Sequence, residues 1–371
     1  MSNNITVPRL MAKMQRVEAS DLHIKVGSPP ILRIASQLRR VDGPSLSAED
    51  TERLLMEIVP ENKRDALHEI GNVDFSHHDD EGGRFRCSVF RAGSGLHAAI
   101  RRVNTKIPDF SELLLPPIYE KLVGASYDGL VIVCGVTGCG KSSTLAAMIN
   151  HINQHRHCNI ITVEDPIEYA FEPQQSFISQ REIGIDTPDF ATALRGAVRQ
   201  DPDVMMIGEM RDRETMLAGL QAAETGHLVF TTLHTADTMQ SFNRILEFFP
   251  IKEHGFIRAS LSASLRAVAA QRLVPSIQPQ AQRVPATEVL LNTSLVAERI
   301  REGGENDIPA IMAGATDEGM HDFTTRLFQL INEGWIDLRT AERYAPNPEA
   351  LRSRVRGIDV KADTLVGKTK R

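Results

Sequence analysis

An excess of basic residues is the first thing missing: 42 Lys and Arg stand against 48 Asp and Glu, a formal net charge of -6. That excludes a chain that coats nucleic acid throughout. Aromatic residues are sparse at 5%, with Trp335 the one tryptophan, which leaves little to stack bases along a nucleic-acid track. Cysteine is limited to Cys87, Cys134, Cys139 and Cys158, with no C-x-x-C pair among them. Neither a disulfide framework nor a zinc ribbon is indicated. No apolar run approaches the roughly twenty residues of a membrane-spanning helix, and residues 1–10 lack the basic and apolar regions of a signal peptide. The expectation is a cytoplasmic chain with no transmembrane segment and no nucleic-acid partner.

What is present, in 371 residues of which 42% are hydrophobic and 24% charged, suits a globular protein of two or three domains. Its organising stretch is Gly135-Val136-Thr137-Gly138-Cys139-Gly140-Lys141-Ser142, followed by Ser143. This is the pattern G-x-x-x-x-G-K-[ST] of a phosphate-binding loop. Before it, Gly129-Leu130-Val131-Ile132-Val133-Cys134 reads as a buried parallel strand. After it, Leu145, Ala146, Met148, Ile149 and Ile152 fall at helical spacing. Glycines let several backbone N–H groups converge on phosphate oxygens, and the first helical turn adds its unpaired N–H groups and positive dipole end. Lys141 would reach the β- and γ-phosphates and Ser142 would offer a hydroxyl to Mg²⁺, so ATP and Mg²⁺ are the expected ligands. Cys139 reads as a small residue between two glycines, although a thiol at a helix N-terminus can become acidic and oxidisable.

Polar clusters follow the later apolar strands. Thr162-Val163 leads into Glu164, Asp165 and Glu168, whose mutual repulsion calls for a cation or arginines nearby. Val204-Met205-Met206-Ile207-Gly208 ends in Glu209, the first choice for general base, with Glu168 second. Glu209 and Glu164 join Ser142 as candidates to hold Mg²⁺, directly or through water. Leu228 to Thr232 is flanked by His227 at its entrance and His234 beyond its exit, and both are candidates to sense the γ-phosphate. His151, His155, His157 and Cys158 look more metal-like than any other group, yet His near a helix C-terminus is favoured by the dipole anyway.

Alternation of apolar strands with helices after residue 118 predicts an α/β parallel, doubly wound sheet, with ligands at the strands' carboxyl ends. Residues 1–104 read as a small α+β module, 105–117 as a Pro-containing hinge, 118–349 as the nucleotide domain, and 350–371 as a basic tail, partly disordered at its end. Within the first module Phe85, Cys87 and Val89 alternate with Arg84, Arg86 and Ser88, so the two guanidinium groups share one strand face. Beyond Pro250 the pattern reads as helices, with Ile257, Leu261, Leu265 and Val268 as one stripe and Phe323, Leu327, Leu330 and Ile331 as another.

Gly135 to Ser142, Glu164-Asp-Pro-Ile-Glu168, Gly208-Glu-Met-Arg-Asp212 and Glu224-Thr-Gly-His-Leu-Val-Phe-Thr-Thr-Leu-His234 together resemble the Walker A, Asp box, Walker B and His box of the secretion-ATPase superfamily. The resemblance is to the PilT-like type IV pilus retraction ATPases and extends to Ser20-Asp-Leu-His23, Arg84-Phe-Arg86 and Gln180-Arg-Glu182. It implies a PAS-like N-terminal module, a RecA-like P-loop domain with C-terminal helices, and a homohexameric ring with ATP bound between the two domains. By the same resemblance Arg84, Arg86 and Arg101 project toward a neighbour's nucleotide, and Arg195 and Arg199 lie on the helix after the Asp box. The family's work is pilus retraction, seen as twitching motility, through an inner-membrane platform protein and in company with a paralogous pilus ATPase. That places such a ring at the inner face of the cytoplasmic membrane. The retraction branch usually carries Ala-Ile-Arg-Asn-Leu-Ile-Arg-Glu in its C-terminal helices, where this chain has Val296-Ala297-Glu298-Arg299-Ile300-Arg301-Glu302. Two other readings remain, a regulatory or weakly active partner subunit and a RecA-like motor that moves nucleic acid.

Overall fold

The computed structural model describes residues 5–35, 37–79, 83–93 and 95–357. They form two units, the first taking in the described part of Met1–Lys106 together with Ile167–Ala170, the second Ile107–Pro166 and the described part of Phe171–Arg371.

The first unit runs α1 (Val7–Arg16), β1 (Asp21–Ile24), β2 (Ile31–Ile34), β3 (Gln37–Arg40), α2 (Ala48–Met56), α3 (Glu61–Glu69), β4 (Asn72–His78), β5 (Arg84–Ala92) and β6 (Gly95–Arg102). Its six strands make an antiparallel sheet in the order β3-β2-β1-β6-β5-β4, a PAS-like α+β module. Alternation puts Phe85, Cys87 and Val89 on the inner face with Leu22, Ile24, Leu54 and Leu55, all fully buried. Ser47 starts α2 with a reciprocal cap: Asp50 N–H donates to its hydroxyl at 3.1 Å and its own N–H donates to the Asp50 carboxylate at 3.0 Å.

The second unit runs α4 (Ile118–Ala125), β7 (Gly129–Cys134), α5 (Lys141–His155), β8 (Asn159–Glu164), β9 (Phe177–Glu182), α6 (Phe190–Ala197), β10 (Val204–Ile207), α7 (Arg213–Glu224) and β11 (Leu228–Leu233). It continues through α8 (Thr238–Glu247), α9 (His254–Ser264), β12 (Leu265–Pro275), β13 (Arg283–Leu291), α10 (Ser294–Glu302), α11 (Ile308–Gly314), α12 (Phe323–Asn332), α13 (Leu338–Tyr344) and α14 (Pro348–Val355). The sheet order is β13-β12-β7-β11-β10-β8-β9, parallel throughout except for β13 at one edge. This is a RecA-like α/β sheet with helices on both faces. Leu130, Val131, Ile132 and Val133 of the central β7 are 0% exposed, each such side chain contributing roughly 1.5–3 kcal/mol by burial.

Three expectations change. The stripe through Ile257 and Leu261 does belong to a helix, α9, but Leu265 and Val268 lie on β12, which pairs in parallel with β7 and turns back as β13. The run from Leu265 to Val274 is apolar except at Arg266, Gln271 and Arg272, a spacing that does not separate a helix from a doubly covered strand. Second, the expected tail opens with ordered structure, since α14 buries Leu351; residues 358–371 lie outside the described residues. Third, Ile167–Ala170 groups with the first unit, where Asn104 N–H donates to Glu168 O at 3.3 Å and Ala170 N–H to Asn104 O at 2.8 Å.

Candidate active site

The phosphate loop leaves the carboxyl end of β7 and enters α5 at Lys141. Gly135 is required by a neighbour: a Cβ there would lie 2.5 Å from the backbone oxygen of Gln271 on β12. Gly140, at φ +92°, is the N-cap of α5 and brings no side chain to that helix end. By contrast α6, α7, α8, α12 and α13 each begin with an Asp whose carboxylate accepts a first-turn N–H. The donors left open on α5 are those the motif aims at phosphate.

Lys141 is 8% exposed and its ammonium sits inside the loop, donating to Gly135 O at 2.8 Å and to Val136 O at 3.4 Å. Val136, Thr137 and Gly138 are exposed around it, and Ser142 and Ser143 are half-buried on the first turn of α5. Cys139 is buried, and burial pushes its thiol up, against the acidic thiol that a helix N-terminus can produce.

Parallel register carries the acidic residues to the same edge. Ile207 of β10 pairs with Val163 of β8 on one side and with Thr231 of β11 on the other. Glu164, at the end of β8 and 6% exposed, accepts from Thr162 Oγ1 at 2.7 Å and Gln180 Nε2 at 3.1 Å. Glu209 follows β10, is 8% exposed, and is ion-paired to Arg211. Its Oε2 lies 3.4 Å from His234 Nε2, long for a hydrogen bond but close enough for the imidazole to feel the charge. Burial lowers the His234 pKa, the Lys141 charge lowers it further, and Glu209 opposes them without reversing the result. Lys141, Glu209 and His234 thus act on one another at the carboxyl ends of β7, β10 and β11.

The other candidates are placed as follows. His227 is not at this edge: its carbonyl accepts from Gly129 N–H, at the beginning of β7. In parallel strands an entrance residue lies a strand's length from an exit residue, here about 20 Å, and His227 is held there by Ala222 O at 2.9 Å from its Nδ1. It does not reach this chain's phosphate loop. Glu168 groups with the first unit rather than with the strand ends that carry Glu164 and Glu209. Arg195 lines a groove of about 620 Å³ with Asp165, Arg211 and Arg213, and sits 3.9 Å from Glu214. Arg199 is exposed and not on α6, which stops at Ala197. His151 and His155 stack their rings 4.3 Å apart, and no group of three metal-ligating side chains occurs among the described residues.

In the first unit, cross-strand register lines up Arg33, Asp21, Arg101 and Arg86 on the outer face of the sheet, with Arg84 two residues from Arg86 on the same face. Asp21 lies 2.8 Å from Arg101 and 3.5 Å from Arg33. Burial raises the Asp21 carboxyl, but hydrogen bonds from Arg101 and Ser20 hold it below the usual range. With one carboxylate among four guanidinium groups, the face carries net positive charge.

Gln271 escaped the sequence reading. It is 2% exposed, donates from Nε2 to Cys139 O at 2.7 Å and accepts from Thr144 Oγ1 at 2.9 Å. A cavity of about 380 Å³ opens beside the loop, lined by Thr137, Gly138, Arg272, Arg283 and Tyr344 among others.

A doubly wound sheet whose central strand feeds an open helix N-terminus, and whose next strands deliver an acid and a histidine, is that of a RecA-like P-loop NTPase. The model of the family described as Type II/IV secretion system protein matches residues 80–323. The chain belongs to that family and is an ATPase of it. It is 39% identical to the Type IV pilus ATPase PilU of Pseudomonas aeruginosa, across 96% of this chain and 93% of that one. To the Type IV pilus retractation ATPase PilT of the same organism it is 36% identical, across 92% and 99%. The solved structure of the pilus retraction motor PilT with bound ADP superposes with a TM-score of 0.86 at 39% identity, covering 94% of this chain and 99% of that one. Among the described residues no helix is long and apolar enough to cross a membrane.

Proposed function

We propose that this chain is a Mg²⁺-dependent ATPase subunit of a homohexameric ring that powers type IV pilus retraction, and with it twitching motility, from the cytoplasmic face of the membrane. The observation that carries the reading is the meeting of Lys141, Glu209 and His234 in a chain similar to a pilus retraction motor over 94% of its length. Lys141 and the N–H groups of the loop bind the β- and γ-phosphates, and the cavity toward Tyr344 receives the nucleoside. Glu209 takes up the proton of the attacking water or orients it, once freed from Arg211. A neutral His234 can offer a ring N–H to a γ-phosphate oxygen.

The donor set suits a hard cation, with the Ser142 hydroxyl and the carboxylates of Glu164 and Glu209 at neighbouring element ends; Mg²⁺ bound there would offset phosphate charge. The positive face with Arg84, Arg86 and Arg101 is suited to approach the nucleotide of the next subunit, which would make hydrolysis depend on the ring. Movement between domains would pass to a platform protein in the membrane. In a strain lacking the protein we expect surface filaments to accumulate and twitching to stop; normal twitching with normal filament number would refute the retraction role.

The 39% identity to PilU beside 36% to PilT supports a second reading, a pilus ATPase that assists a paralogous retraction ATPase. Under that reading the deletion strain keeps its twitching in part, and a paralogue restores it when overproduced.

A further inference from the structure

We infer that Gln271 is a positioning residue for nucleotide binding, a clamp that holds the phosphate loop in its receptive shape. The inference rests on the nucleotide-site reading. Register brings the clamp into place: Ala270 of β12 pairs with Cys134, the last residue of β7, so Gln271 lies alongside Gly135, the first of the loop. Its backbone oxygen closes the space where a Cβ on Gly135 would go. Its amide is then spent on the far side of the loop, donating to Cys139 O and accepting from Thr144 Oγ1 on α5.

Those partners are what make the contact functional rather than merely cohesive. Cys139 immediately precedes Gly140, the open N-cap, and its carbonyl belongs to the peptide whose N–H is that of Gly140. A donor on that carbonyl fixes the peptide plane and hence the direction of the N–H available to phosphate. Thr144, in the first turn of α5 and 2% exposed, ties the same amide to the helix that carries Lys141 and Ser142. Gly140 permits the approach, since a Cβ there would meet Gln271 Nε2 at 3.1 Å. A primary amide of this length supplies a donor and an acceptor at once; Glu lacks the donor when ionised, and Met has no donor and only a weak sulfur acceptor.

The test measures the dissociation constant of a fluorescent ADP analogue and kcat at saturating ATP for Gln271→Met, Gln271→Glu and Thr144→Val, with far-UV circular dichroism on each. Gln271→Met should weaken binding about tenfold, Gln271→Glu at pH 8 more than that, and Thr144→Val about threefold, while kcat at saturation changes by less than about twofold. Wild-type affinity in folded Gln271→Met, or equal losses in binding and kcat, would overturn the inference. Should the Gln271 variants fail to fold, Thr144→Val decides alone: unchanged affinity contradicts the clamp. No nucleotide binding by the wild-type protein would instead contradict the site reading itself.

Discussion

The two strands that flank β7 are both parallel to it and both buried, yet they serve the phosphate loop differently. On one side His234 follows β11 and lies beside Glu209, the pair to which the proposed function gives the chemistry. On the other, β12 offers Gln271, whose side-chain amide bonds the loop's own backbone and the helix that follows it. The proposed roles divide across one strand, with turnover on the β11 side and the shape that grips nucleotide on the β12 side. Variants on the two sides should therefore separate kcat from affinity.

Lys141 belongs to neither side, and Lys141→Ala should have the largest effect, removing both grip and turnover. No phosphate release above background is expected from it. Mixed with Arg84→Ala subunits it should regain part of the activity if arginines act across a ring interface; no recovery at any mixing ratio would argue against sharing.

A smaller effect is expected at His234. With its pKa held below the ordinary value of 6.5, the ring is neutral at pH 7 and above, so the pH–kcat profile should be flat there and fall only in acid. His234→Gln should lower kcat several-fold and remove that acid limb; a variant that keeps the limb would assign it to another group. The same shift enters stability with a definite sign. The unfolded chain takes up the proton first, so stability declines as pH falls through about 6.5 and levels off below the folded value. The imidazole is half exposed, which keeps this contribution small.

The β11 side was legible in the sequence and the β12 side was not, for physical reasons. β7, β8, β10 and β11 are short β-branched or apolar runs that end abruptly in Gly, Glu or His, and such an ending has few meanings beside a phosphate loop. Leu265 to Val274 has no such punctuation, and its alanines read as helix. Gln271, the uncharged polar residue inside that run, was the available signal. His227 shows a different limit: its place at the entrance of β11 was readable, and parallel pairing then puts it at the edge away from the loop. Glu168 lies four residues from Glu164 in sequence, but the chain leaves the sheet after Glu164 and pairs with Asn104 of the first unit.

The most direct test of the account is Glu209→Gln, read as phosphate release beside binding of a fluorescent ADP analogue. Removing a general base should cut kcat by about a hundredfold or more, while the dissociation constant stays within about threefold of wild type. Hydrolysis at the wild-type rate would contradict the assignment of chemistry to the β11 side.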